Sequence, residues 1–178
     1  MLRSNFKLSF IFLLISPFFD LKGLNAQDSI SKKIEYVCMP CGMICDNEKF
    51  EEPGFCSVCK MKLVDKRTIS HNSIAPSELK SFLNSTKDLI ILDVRTKLEF
   101  DGKSEPNFGT LKKAINIPIS EIEQGGYKQL NKDKTILVYC SHAHRSAIVS
   151  YILTQNGFKN VINLTGGMSQ VNDLTLIK

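Results

Sequence analysis

No cluster of lysine and arginine interleaved with aromatics occurs in the 178-residue chain, and its formal charge is only +5. A nucleic-acid-binding surface concentrates basic side chains on one face or stripe, so that function class has no support. No apolar run reaches the roughly 20 residues needed to span a bilayer. The stretch from Leu8 to Phe19 is interrupted by serines and Pro17. No cysteine directly follows it, so the N-terminus lacks an attachment point for a lipid. Helical periodicity is nearly absent between residues 36 and 64, where cysteine, glycine and proline set the pattern instead.

What is present divides the chain into five parts. Arg3 and Lys7 precede the apolar stretch, and Leu24-Asn25-Ala26 stands just before Gln27. That order of basic, apolar and small residues predicts a signal peptide over 1–26, cut after Ala26. The expected product is periplasmic or secreted, with no stable membrane insertion after cleavage. Residues 27–35 are polar and read as a flexible segment. Residues 36–64 form a cysteine-rich module, 65–72 a linker, and 73–178 a domain of different character.

In that last part, short apolar runs alternate with helical patterns. LIILDV (89–94), AINIPI (114–119), TILVYC (135–140) and NVINL (160–164) are strands of the kind buried on both faces. Leu79, Phe82 and Leu83 share one face of a helix that opens near the Ser and Pro of NSIAPSELKSFLN. Ala147, Ile148, Tyr151 and Ile152 recur at helical spacing, with Gly157 as the stop. Strand and helix in units of about 25 residues predict right-handed crossovers and a mainly parallel sheet, hence an α/β fold. Ligands of such sheets bind beyond the carboxyl ends of the strands. Cys140 ends one of them.

The segment YCSHAHRS places Cys140 at a strand-to-helix junction with Arg145 behind it. The amides of a helix start have no intrahelical partner and stabilise an anion, which lowers the pKa of a thiol there. Arg145 adds a fixed positive charge suited to an anionic substrate. Ser141, His142, Ala143, His144 and Ser146 complete the loop, and either histidine is a candidate proton carrier. The competing reading is a small, inert cysteine buried at a strand end.

LIILDVRTKLEF, GTLKKAINIPISEI and TILVYCSHAHRSAIVSYILTQNGFKNVINLTGGM resemble, in order, the motifs of rhodanese domains over about residues 73–178. The resemblance implies a rhodanese-like fold and a sulfurtransferase. Cys140 would accept a sulfane sulfur as a persulfide and pass it to a thiol or cyanide, with no cofactor needed. The amides of 141–145 would cradle the outer sulfur, and Arg145 would bind the donor anion or stabilise the loop. Asp93 and Arg95 match the family's supporting Asp-x-Arg, and Gly166 and Gly167 match its glycine pair. The Cys-x4-Arg loop is one residue shorter than that of related phosphatases and arsenate reductases, which favours a single sulfur over a tetrahedral oxyanion. Three positions depart from the family pattern: Ala143 for a common glycine, Thr110 for a histidine, and Val171 near an expected aromatic.

Five of the six cysteines lie between residues 38 and 59. Cys38-x2-Cys41, fourteen residues, then Cys56-x2-Cys59 is a zinc-ribbon pattern, predicting one zinc or other soft metal ion held by these four thiolates. A module this short needs the metal for stability. The segment also resembles small heavy-metal-binding domains of exported proteins through Tyr36, Cys38, Pro53, Gly54, Cys56, Cys59 and Met61. Two disulfides are the alternative in an oxidising compartment. Cys45 is unassigned: a spare thiol, a fifth ligand or a resolving partner for Cys140. Met39, Met43 and Met61 either offer thioethers to Cu(I) or pack the small core.

The expected function is therefore an exported sulfurtransferase acting on small sulfur-containing anions, such as thiosulfate or polysulfide, and on thiol acceptors. A metal-binding protein on a non-catalytic rhodanese scaffold and a thiol-redox protein are the alternatives.

Overall fold

The structure, a computed structural model, describes residues 33–178. The expected signal peptide and most of the flexible segment lie outside the described residues. The elements in chain order are β1 (Tyr36–Val37), β2 (Val64–Asp65), β3 (Asn72–Ile74), α1 (Leu79–Ser85), β4 (Leu89–Asp93) and α2 (Lys97–Phe100). β5 (Ile115–Asn116), α3 (Ile119–Glu123), β6 (Thr135–Tyr139), α4 (His144–Gln155) and β7 (Val161–Leu164) follow. Among the described residues no helix is long and apolar enough to cross a membrane.

Five strands pair in the order β3-β7-β6-β4-β5, and every pairing is parallel. Alternation along the strands sends side chains to opposite faces. Leu92, Val94, Ile136, Val138 and Cys140 pack with Ile122, Val149 and Leu153 on the side covered by α3 and α4. Ile91, Leu137 and Tyr139 pack with Leu79, Leu111, Leu164 and Met168 on the other, where Phe82 and Leu83 join them. With both faces covered, β4 and β6 are apolar between their ends, from Leu89 to Leu92 and from Ile136 to Val138. That is why they read as continuous apolar runs.

Two elements differ from the sequence expectation. The run 114–119 contributes only Ile115–Asn116 to the sheet, because Pro118 has no N–H for a ladder and stands at the start of α3. Residues 72–74 form an edge strand instead of a loop, pairing with Ile162 to Leu164. The 65–72 stretch is docked along α4: the Thr68 hydroxyl lies 3.0 Å from the Tyr151 hydroxyl, and Gln155 Nε2 donates to Thr68 O at 2.9 Å.

Under the carboxyl ends of β4 and β6 lies an ion pair shielded from water. Arg95 Nη2 donates to Asp93 Oδ2 at 2.7 Å, and the two side chains are 1% and 0% exposed. Arg95 also donates to Gly109 O at 2.8 Å and Thr110 Oγ1 at 3.2 Å, and its guanidinium stands 5.6 Å from the Tyr139 ring centre. Thr110 donates in turn to Phe100 O at 2.8 Å. The pair thereby ties the β4 end, the 109–110 loop and α2 together. Arg95→Met removes one partner and strands the Asp93 charge, so it should cost about 3 to 5 kcal/mol of unfolding free energy. Urea denaturation measures this, and a loss below about 1 kcal/mol would contradict a structural role for the pair.

Candidate active site and metal centre

Cys140 stands just past β6, and α4 begins four residues later at His144. The first helical hydrogen bond runs from Ala147 N to Ala143 O at 2.9 Å, so the amides of 144–146 are free to face the loop. Ala143 holds the left-handed conformation (φ 68°, ψ −13°) that turns the chain into the helix. Ser146 Oγ donates to Ala143 O at 3.0 Å and stands 3.6 Å from Cys140 Sγ. The thiol residue itself is buried, at 1% exposure.

The loop is held from below by the turn after β7. Met168 N donates to Cys140 O at 2.9 Å and Ser169 N to Ser141 O at 3.0 Å. A Cβ on Gly167 (φ 64°) would lie 2.6 Å from Cys140 O, so only glycine admits this approach.

Arg145 is engaged by a residue the sequence reading missed. Its Nη1 and Nη2 each donate to Glu99 at 2.7 Å, and Nη2 also reaches Ser141 Oγ at 3.1 Å. Ser141 Oγ donates to Glu99 Oε1 at 2.8 Å. Of the two roles expected for Arg145, the geometry supports holding the loop. Glu99 is fixed as the last residue of a capping box on α2: its Oε2 accepts from Thr96 N at 2.9 Å. The Thr96-x-x-Glu99 spacing directly after a strand was the available signal. Asp93 and Arg95 lie beneath, as described above. His142 is exposed and meets the Phe108 ring edge-on at 5.4 Å, while His144 Nε2 is buried with no partner among the described residues.

The cysteine module brings together four thiols, but not the four expected. The sulfurs of Cys38, Cys45, Cys56 and Cys59 all lie within 4.8 Å of one another. Cys41 is outside this group. Its amide donates to Asp46 Oδ2 at 2.9 Å, its thiol lies 3.5 Å from Asp46 Oδ1, and its carbonyl accepts from Gly166 N at 3.2 Å. Cys45 takes its place, from a 3-10 turn over Ile44–Asn47, and is fully buried. Nothing in the spacing distinguishes the two; Asp46, which captures Cys41, was the only cue. Cys45 shares no packed cluster with Cys140, which lies in the sheet core.

The donor set fits a soft metal ion. Tetrahedral zinc with bonds of about 2.3 Å has sulfur–sulfur edges of about 3.8 Å, and Cys38 Sγ to Cys59 Sγ is 3.8 Å. Val58 N donates to Cys56 Sγ at 3.3 Å, as in a metal-binding knuckle. The backbone amide of Cys59 leads in holding the Cys56 thiol down to about 6, whereas burial pushes Cys38 up and Cys45 up to about 11. Cys41 is pushed up to about 12 by burial, with Asp46 adding to it. Among the described residues all six cysteines are free thiols, and these four converge on one point rather than in two pairs. Met39 and Met61 are buried packing residues, and Met43 is exposed.

Arg145, first of several partners, holds the Glu99 carboxyl well below the usual carboxylate range. A depressed folded pKa stabilises fully above the unfolded value of about 4.3 and loses that contribution as pH falls through the folded value. Glu99→Gln should lower stability at pH 7 by about 1 to 2 kcal/mol, the pair being partly exposed. The difference from wild type should shrink in urea titrations as pH drops below about 4. An unchanged difference across that range would refute the pairing.

A family model for the rhodanese-like domain matches residues 75–174, and one for a heavy metal binding domain matches 40–66. The tRNA uridine(34) hydroxylase of Pelagibacter ubique is 31% identical over 100 residues, covering 55% of this chain and 31% of that protein. The probable adenylyltransferase/sulfurtransferase MoeZ of Mycobacterium tuberculosis is 33% identical over 98 residues, 54% of this chain and 24% of its own. The chain thus spans a third or less of these relatives' length. A crystal structure of a rhodanese-like domain protein from Staphylococcus aureus aligns with TM-score 0.50 and 33% identity, covering 60% of this chain and 98% of that one. With more than half its length matched and the motifs assembled around one strand-end thiol, the chain belongs to the rhodanese-like family, with a heavy-metal-binding-type cysteine module ahead of the domain.

Proposed function

We propose that the protein is an exported sulfurtransferase that works through a persulfide on Cys140. The observation that carries this reading is a thiol at the N-terminus of α4, inside a Cys-x4-Arg loop fixed by Arg145, Glu99 and Gly167. Family membership supports sulfur chemistry in general, and the loop length supports a single sulfur as its cargo.

In the first step the Cys140 thiolate attacks the sulfane sulfur of a donor such as thiosulfate. A new S–S bond forms, the donor's S–S bond breaks, and sulfite leaves with the electron pair. The outer sulfur then carries the negative charge, which the free amides at the start of α4 stabilise. In the second step a thiolate or cyanide attacks that sulfur, and Cys140 leaves as thiolate. Arg145 acts as a positioning residue, keeping the amides convergent through its pair with Glu99. Ser146 Oγ is close enough to donate to the resting sulfur. The second carrier in the chain, the four-thiol site, is read as holding one zinc, which when bound supplies folding stability to the module.

The rival reading, a metal-binding protein on a silent scaffold, is favoured by the convergent thiols and by the burial of Cys140. The two separate cleanly. Thiosulfate treatment should load wild-type protein with one cyanide-releasable sulfur, seen as a persulfide mass on the Cys140 peptide. Cys140→Ser should lose this by about a hundredfold or more. Equal loading in the variant would overturn the assignment.

A further inference from the structure

The four-thiol site and the sulfur-transfer loop are joined by a packed seam. Met39, Cys41 and Met61 of the module form one buried cluster with Ala143 of the loop and Ala147 of α4. Cys59 packs against this cluster and also against the one containing Cys38, Cys45 and Cys56. Met39 directly follows Cys38, and Met61 lies two residues after Cys59, so the positions of two thiols set the positions of both methionines. Ala143 is fully buried in this seam.

Polar contacts reinforce the seam. Gly166 N donates to Cys41 O at 3.2 Å and Asn163 Nδ2 to Pro40 O at 2.9 Å. A Cβ on Gly42 (φ 90°) would stand 2.9 Å from Thr165 Cβ, so the module lies hard against the turn before Gly167. That turn bonds the Cys140 and Ser141 carbonyls through Met168 and Ser169. The module therefore touches the loop at Ala143 and touches the turn supporting it.

This arrangement bears on the departure at Ala143. A non-glycine residue in the left-handed region is strained, and burying its methyl offsets part of that strain. The methyl is useful only while the module is in place. Without its metal, a segment of this size lacks the core to hold that position.

We propose that a soft metal ion bound by Cys38, Cys45, Cys56 and Cys59, with Cys41 excluded, is the clamp that holds the Cys140 loop in its reactive shape. Metal occupancy would then switch the sulfur-transfer site, which makes this a form of metal-dependent regulation; the functional consequence rests on the persulfide reading above. Cys41 serves as a packing residue of the seam, with its amide and thiol both engaged by Asp46.

The test uses the full protein loaded with Zn(II) or Co(II) alone, or stripped with a chelator. Cys41→Ser should keep one metal per chain and the four-thiolate Co(II) charge-transfer spectrum, while Cys45→Ser should lose that spectrum. Retention in Cys45→Ser with loss in Cys41→Ser would overturn the ligand set. In hydrogen exchange, stripping wild-type protein should speed the amides of Ala147, Met168 and Ser169, which bond the loop's carbonyls, by about tenfold or more while β4 and β6 stay protected. Ala143→Gly should narrow that gap, because it removes both the strain and the methyl contact. Equal exchange of the loop with and without metal would overturn the clamp. Exchange does not depend on sulfur transfer: a loop that responds to metal on a protein that never forms a persulfide would refute the function and leave the clamp standing.

Discussion

Arg145 reaches back across its own loop to Glu99, and two charge-assisted bonds of 2.7 Å fix the guanidinium in a plane. A strand-to-helix junction has no ladder of its own, since the strand's pairing has ended and the helix's has not begun. Without an outside anchor its amides would point wherever solvent took them. A bidentate carboxylate supplies direction as well as energy, and Ser141 Oγ, bonded to the same carboxylate, extends the hold to the loop's first residue. The chemistry proposed for Cys140 would depend on this, because an anion at a helix start is stabilised only by amides that converge on it.

The anchor works because its own support is rigid. Glu99 closes the capping box of α2, and α2 follows directly from the buried Asp93–Arg95 pair at the end of β4. From β4 to Arg95, α2, Glu99 and then Arg145, a chain of satisfied polar groups runs from the sheet to the loop. On the other side Gly167 lets the turn after β7 approach within bonding distance of Cys140 O and Ser141 O. Fixed electrostatics at low reorganisation is the condition under which such a site accelerates a reaction.

Much of this was legible beforehand. The β4 and β6 strands read as continuous apolar runs because both their faces are covered, and a thiol at the end of one drew attention for the same reason. The helix after it was only half legible. Ala147, Ile148 and Tyr151 recur at helical spacing, yet they turn toward the module, while Val149 and Leu153 face the sheet. A helix buried on two sides has no single apolar stripe to read. Glu99 escaped notice because a carboxylate at N3 has an ordinary local explanation, and its long-range partner lies 46 positions away in the chain. The exchange of Cys45 for Cys41 was hidden for a related reason. Spacing specifies a knuckle, but which thiol turns inward was decided by Asp46 and by contacts of Cys41 with the domain behind it.

The same contacts give Ala143 a physical reason. In a free-standing domain a left-handed loop residue gains most from having no side chain, and glycine is the natural choice. Here a second surface packs over that position, and a methyl there has Met39, Met61 and Ala147 as neighbours. The strain remains, but it is opposed by burial that exists only when the module is folded. A substitution that reads as a defect in the domain taken alone is thus a contact in the two-part protein. The loop's geometry becomes a property of the cysteine module as much as of the sheet that carries Cys140.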